Sequence, residues 1–331
     1  MDKHSDHRGG ASDTSSKRNV KALSTGRAPS ATSTSTKSSQ ATTISSQSTT
    51  KTEIEMGSEE EKLLMVWYLR VRDAASEHPI LEDKYAAEIM DKIKFDITRS
   101  SFKLDPAFVQ YVCGRAKQMD DWAQDFLDQH TFEDVLVLQL ACGLDSRCLR
   151  LNRRKDVKWI DVDRPKVTSL RRRLIPPPES GDYTLMTADV SEDDDSWLKK
   201  IPADRPTLII MESLTYYMEP EQGVRLFQRL LRHFSHGNLV FDTMGSIGVA
   251  FTSLVDPVRK FDSRIKWGID DPSEFLKLDS RLVLRSSIFT HEFMETGSFA
   301  KGYPPLFGGW TPLISMLPGF KKNGQFLRFE F

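Results

Sequence analysis

The chain has 331 residues, with 46 Lys and Arg against 47 Asp and Glu, and 39% of it is hydrophobic. That balance gives no basic field for nucleic acid, and no apolar run reaches the length needed to span a bilayer. Cys113, Cys142 and Cys148 form neither a metal-ligand spacing nor an even-numbered disulfide framework, so a reducing, cytoplasmic setting without a metal is expected.

The first 50 residues contain 22 Ser or Thr, and the first aromatic residue of the chain is Trp67. Such a segment cannot bury enough apolar surface to offset its ordering entropy, so residues 1–57 read as a disordered tail. The tail holds 8 basic against 5 acidic residues, a charge of +3, which leaves 38 against 42, or −4, for the rest. It lacks the apolar core of a secretory signal. Its "KRNVK" reads as solvated linker and leaves nuclear entry open. Residues 58–331 are long enough for one α/β enzyme domain.

Helical spacing of Leu63, Leu64, Trp67 and Val71 predicts a helix over 59–77, stopped at His78-Pro79. Further helices are expected at 81–93 and from Asp105 to His130. Together, 58–132 form a helical cap. The rhythm then changes. Apolar runs at 134–140, 157–162, 183–190, 207–212 and 238–244 read as strands, with helices at about 145–154, 164–174, 193–200 and 220–235 between them. Continuous apolar strands separated by helices predict a parallel sheet covered on both faces. After a helix near 272–279, runs at 281–290 and 324–331 predict an antiparallel pair at one sheet edge.

Open α/β sheets bind ligands beyond the carboxyl ends of their strands. Here those ends carry Gly143, Asp163, Asp189, Glu212 and Asp242, and none carries Lys or Arg. Several acids disfavour a phosphate-rich ligand, and the Lys of a P-loop is missing. Asp163, 20 residues after Gly143, suits a ribose diol, whose two hydroxyls a carboxylate can accept. Asp189 suits an adenine amine, and Gly143 lets backbone approach the ligand closely. S-adenosylmethionine matches these features, with its ribose, adenine and sulfonium and no phosphate. Helix capping is the plainer alternative for each acid taken singly, Asp163 before Arg164-Pro165 above all.

Six segments then resemble a known family. "LQLACGLDSRCLRL" (138–151) is similar to the "LGAGLDTRAFRL" signature of the leucine carboxyl methyltransferase family. "WIDVDRPKV" resembles its "FEVDLPEV", "MTADV" its "VAADL", and "IIMESLTYYMEPEQ" its "VAEGLLMYLTPEQ". "KWGIDDPSEF" resembles the "FGIDDP" block of its tetracenomycin-type polyketide branch. The helical "GRAKQMDDW" is similar to the family's "RTRLLDD". The resemblance covers roughly 60–331. It implies a class I methyltransferase fold, Rossmann-like, with seven strands of which the last is antiparallel, and S-adenosyl-L-methionine as cofactor. It implies that Arg115 pairs with the cofactor's carboxylate, that Asp163 binds ribose, that Asp189 and Val190 contact adenine, and that Glu212 lies near the amino-acid end. Tyr217 would lie towards the reaction centre. Asp145 and Arg147 match the family's "LDTR"; Asp145, with Ala141 and Gly143 of the same loop, is expected at the cofactor, and Arg147 is expected to orient the loop. Arg115 as an exposed helix residue is the structural alternative.

The chain departs from the family where Ala141 replaces the first loop Gly, which suits a negative φ there, and where Ser213 replaces the Gly after Glu212. Cys142 reads as small filler. Expected chemistry is methyl transfer to an oxygen of a small, polyketide-like acceptor. A carboxylate needs no base, whereas a phenol benefits from one, for which His291 is the candidate. Phe251, Phe261, Trp267 and the loop 302–310 are candidates for the acceptor pocket, with plain core packing the equal alternative for the aromatics. The alternatives are methylation of a protein C-terminal leucine, a non-catalytic binding protein, and an NAD-dependent dehydrogenase. The last expects G-x-G-x-x-G where this chain has A-C-G-L-D-S. The oligomeric state is not legible.

Overall fold

The computed structural model describes residues 58–93, 106–179, 181–254, 264–296 and 322–331. The tail at 1–57, Phe261 and the loop 302–310 lie outside the described residues, as does the side chain of Phe251. The N-terminal helices are α1 (Ser58–Ala74), α2 (Lys84–Met90) and α3 (Pro106–Gln129). α2 is shorter than expected because Asp83 caps it, accepting the Tyr85 N–H at 3.2 Å. Asp73 fixes the turn before it by accepting the Ile80 and Leu81 N–H groups, both at 2.8 Å.

The remaining elements are β1 (Leu136–Leu140), α4 (Arg147–Arg150), β2 (Lys158–Asp163), α5 (Pro165–Leu174), β3 (Asp182–Thr187), β4 (Thr207–Met211), α6 (Pro220–His233), β5 (Gly237–Met244), α7 (Ser246–Leu254), β6 (Val283–Phe289), α8 (Thr290–Thr296) and β7 (Gly324–Glu330). The strands form one seven-stranded sheet in the order β3-β2-β1-β4-β5-β7-β6. β1 to β5 pair in parallel, and β7 runs antiparallel to both β5 and β6. This is the class I methyltransferase arrangement, with the expected antiparallel pair at the sheet edge.

The central strands are apolar throughout because each face meets helices. Leu136, Leu138 and Leu140 join Ile209, Leu239 and Phe241 under Leu226, Phe227 and Leu230 of α6. Val135, Val137, Ile210 and Val240 pack on the opposite face against Met119, Trp122 and Phe126 of α3. Full burial of each such side chain contributes about 1.5–3 kcal/mol before entropy is counted. α1 and α2 pack on α5 through Leu64, Trp67, Ile89, Leu170 and Leu174. No helix among the described residues is long and apolar enough to cross a membrane.

Three expected helices are reduced. The one at 145–154 is the single turn α4, because its Arg side chains are committed to ion pairs and Leu151 turns extended. The one at 193–200 is a 3-10 turn at Leu198–Lys200. There Asp194 draws the Ser196 N–H at 2.8 Å into a local turn that competes with helix. The one at 272–279 is likewise 3-10, over Pro272–Lys277.

Candidate functional site

β1 is flanked by β2 on one side and β4 on the other, so the chain's direction of travel across the sheet reverses at β1. A cavity of about 510 Å³ opens above the carboxyl ends of these strands, where the fold class places its ligands. Its walls include Gly143, Asp163, Asp189, Val190, Glu212 and Tyr217, together with Ala141, Asp145 and Arg115. One side comes from α1, through Leu63, Val66, Trp67 and Arg70.

The loop after β1 is bent by three features. Ala141 and Gly143 both have a φ of +52°, and the Gly143 N–H donates to Asp163 Oδ2 at 2.7 Å. The other Asp163 oxygen accepts the Arg164 N–H, also at 2.7 Å. The N-cap of α5 is Arg164, without a side-chain cap bond, so Asp163 ties the loop together and does not cap the helix. Each oxygen holds one backbone donor and keeps a lone pair for another. Burial raises the Asp163 carboxyl above its ordinary value, against the pull of the Gly143 and Arg164 N–H groups. Ala141 would be tolerated without strain at a negative φ, and the observed value is positive. Ser213 also has a positive φ, +57°, so both positions where this chain lacks the family's Gly are left-handed.

Asp189 accepts from the backbone N–H and the hydroxyl of Ser191 through Oδ1, which fixes the carboxylate beside Val190 at the cavity wall. Tyr217 is 40% exposed at the rim, with its ring 4.9 Å from that of Tyr216.

Behind the cavity lies a buried ion network that sequence reasoning caught only in part. Arg147 reaches Asp120 at 2.5 Å, Asp145 at 2.8 Å and Glu212 at 2.6 Å. Arg150 reaches Asp120 at 2.5 Å and Asp145 at 2.6 Å. These contacts give Arg147 the loop-orienting role expected of it. They also correct the expectation for Asp145. That residue touches the cavity, but its oxygens serve Arg70, Arg147, Arg150 and the Gln139 amide. Burial works to raise the Asp145 carboxyl, but the guanidiniums of Arg147, Arg150 and Arg70 outweigh it and hold the group well below the carboxylate range. Glu212 behaves alike: burial opposes Arg147, Arg115 and Arg70, and the acid stays low and ionised.

Arg115 is 4% exposed, which rejects the exposed-helix alternative. Its Nε donates to Glu212 at 3.2 Å, and one Nη donates to the Tyr216 hydroxyl at 3.3 Å and to Asp242 at 3.4 Å. Burial raises the Tyr216 phenol far above its usual value.

Two expected residues are placed elsewhere. His291, on α8, is not among the cavity's lining residues and has its ring beside Phe289. Trp267 belongs to the core. It lies over Gly223 of α6 and packs with Phe227 and Phe275. Arg70 was missed, because on sequence it is one polar position of an amphipathic helix and only tertiary packing shows that it is buried.

The donors and acceptors fit S-adenosylmethionine. Asp163 and Asp189 would hold the nucleoside, and the guanidiniums beside Glu212 would hold the amino-acid end. Arg70 Nε is buried without a hydrogen-bond partner, as expected where an anionic group completes the site. A profile of the family described as leucine carboxyl methyltransferase matches residues 63–231. The chain is 32% identical to the S-adenosyl-L-methionine-dependent methyltransferase dpfgK of Gibberella zeae, over 75% of this chain and 88% of that protein. It is 34% identical to the tetracenomycin polyketide synthesis O-methyltransferase TcmP of Streptomyces glaucescens, over 69% of this chain and 81% of that protein. The sheet order, the cavity at its switch point and these matches together place the chain in the leucine carboxyl methyltransferase family of S-adenosylmethionine-dependent methyltransferases.

Proposed function

We propose that this methyltransferase acts on an oxygen of a small, polyketide-like acceptor, with a carboxylate as the favoured group and a phenol as the second reading. We further take 58–331 as one catalytic domain, in which 58–132 caps the sheet of 133–331. The observation that carries the cofactor end is the Asp163–Gly143 clasp at the cavity floor. The acceptor class rests on similarity to TcmP, a polyketide O-methyltransferase by its description.

Bound S-adenosylmethionine supplies a methyl group on a sulfonium, already activated for displacement by an oxygen nucleophile. The new O–C bond forms as the C–S bond breaks, and the electron pair leaves with sulfur. The protein's part is alignment. Asp163 and Asp189 would fix the nucleoside, while Arg115 and Glu212 would fix the amino-acid end. Tyr217 at the rim would present the acceptor. A carboxylate is ionised at neutral pH and needs no base, which agrees with His291 standing apart from the cavity. The three cysteines are buried and unpaired, which suits an intracellular site of action.

The test is transfer of labelled methyl to a panel of aromatic carboxylic acids, phenols and a peptide ending in leucine. Label on the acids, released as methanol by mild alkali, supports an ester product. Alkali-stable label on the phenols supports the second reading. Label on the peptide alone would overturn both.

A further inference from the structure

Arg171 of α5 is 1% exposed and is not among the cavity's lining residues, yet it reaches the loop at the cavity floor. One Nη donates to two backbone carbonyls of that loop, Gly143 at 3.1 Å and Asp145 at 2.6 Å. The other donates to Asp161 Oδ2 at 2.5 Å and meets Cys148 Sγ at 3.6 Å. Asp161 is fully buried in β2. Its Oδ2 also accepts the Tyr183 hydroxyl at 2.9 Å, and its Oδ1 accepts the Trp159 indole N–H at 2.8 Å. A guanidinium this deep needs its charge matched and its donors satisfied. Asp161 matches the charge, and the loop carbonyls take the donors that remain.

Gly143 is therefore gripped on both sides. Asp163 takes its N–H, and Arg171 takes its C=O. Asp161 and Asp163 point to one face of β2, because side chains on a strand repeat every second residue. One of these acids acts on Gly143 directly and the other acts through Arg171. The loop needs such fixing, since Ala141 and Gly143 both sit at a φ of +52°, a conformation that persists only where its surroundings impose it. Arg171 also keeps the Gly143 and Asp145 carbonyl oxygens turned to a side chain that lies off the cavity. We propose that Arg171 is a positioning residue for the cofactor, which holds the Gly143–Asp145 backbone in the shape that receives the nucleoside without touching the ligand. The inference rests on S-adenosylmethionine occupying this cavity.

The test is calorimetry with S-adenosylhomocysteine, the demethylated cofactor, and with methylthioadenosine, which keeps the nucleoside and lacks the carboxylate. Both are titrated into the full chain and into its Arg171→Met, Arg171→Lys and Leu174→Val variants. Arg171→Met removes the donors to both carbonyls, and affinity for the two ligands should fall together by about tenfold. Arg171→Lys keeps a cation beside Asp161 and loses the planar fork that spans the carbonyls and the carboxylate. The same parallel loss is expected from it, and it decides the matter if Arg171→Met does not fold. Leu174 is buried on the same helix, so Leu174→Val controls for loosened packing. It should lower the urea midpoint and leave both affinities within about twofold. Unchanged affinity in the Arg171 variants would reduce Arg171 to a structural role and overturn the proposal. So would a loss for S-adenosylhomocysteine alone, or an equal loss in Leu174→Val. Failure of the unmodified chain to bind either ligand would instead overturn the cofactor reading.

Discussion

Asp163 Oδ2 accepts the Gly143 N–H at 2.7 Å, so the acid ending β2 is tied to the glycine that follows β1. A single carboxylate thus shapes the loop and faces the cavity. Asp163→Ala leaves two backbone donors unpaired and removes the ribose acceptor. The expected result is a stability loss of about 1–3 kcal/mol, seen in urea unfolding, together with weaker S-adenosylhomocysteine binding. Asp163→Asn keeps one acceptor oxygen and should recover part of the stability while binding remains weak. If affinity is unchanged in either variant, Asp163 does not hold the ribose.

Ala141 and Ser213 carry side chains at φ values of +52° and +57°, which costs an L-residue about 1–2 kcal/mol. Ala141→Gly and Ser213→Gly should each raise stability by about 1 kcal/mol, after the greater chain entropy of glycine is subtracted. Gly143→Ala should do the reverse, because φ is again +52° and a Cβ would sit 3.2 Å from Leu63. Urea midpoints for the three variants check the signs. A destabilised Ala141→Gly would show that its φ is not strained.

Asp145 and Glu212 titrate lower in the folded chain than their ordinary values of 3.8 and 4.5, because Arg147 and its neighbours outweigh their burial. Their stabilising contribution is complete above those values and is lost as the pH falls through the depressed ones. Asp163 is shifted the other way by burial. It takes up a proton at a higher pH, which favours the fold and blunts ligand binding. On acidification, affinity for S-adenosylhomocysteine should therefore decline before the urea midpoint does. A simultaneous fall of both would contradict this order.

The sheet was legible because strands covered on both faces must be apolar throughout, as Leu136–Leu140 and Thr207–Met211 are. The strand-end rule then brought Gly143, Asp163, Asp189 and Glu212 to one cavity. Two kinds of feature were not legible. The helix at 145–154 is cut short where Arg147 and Arg150 pair with Asp120 on the distant α3, and that at 193–200 where the Asp194 turn competes locally with the backbone. Burial of Arg70 and the internal use of Asp145 depend on partners 75 residues apart, which no local pattern encodes. His291 and Trp267 had the right chemistry for a site and are positioned by packing elsewhere.

Tyr216 receives Arg115 at its hydroxyl, 3.3 Å away. Tyr216→Phe removes that contact and leaves the nearby Asp242 pair. Affinity for S-adenosylhomocysteine should fall by about tenfold or more, the value of one hydrogen bond to a charged partner, and methylthioadenosine binding should hold. An equal loss for the two ligands would mean that Tyr216 supports the fold rather than Arg115.

Titration calorimetry of the full chain with S-adenosylmethionine and, separately, with NAD tests the cavity assignment most directly. The strand-end acids and the guanidiniums beside Glu212 predict one site for S-adenosylmethionine with a dissociation constant on the order of 10 μM or below, and no heat from NAD. Binding of NAD, or of neither compound, would contradict it.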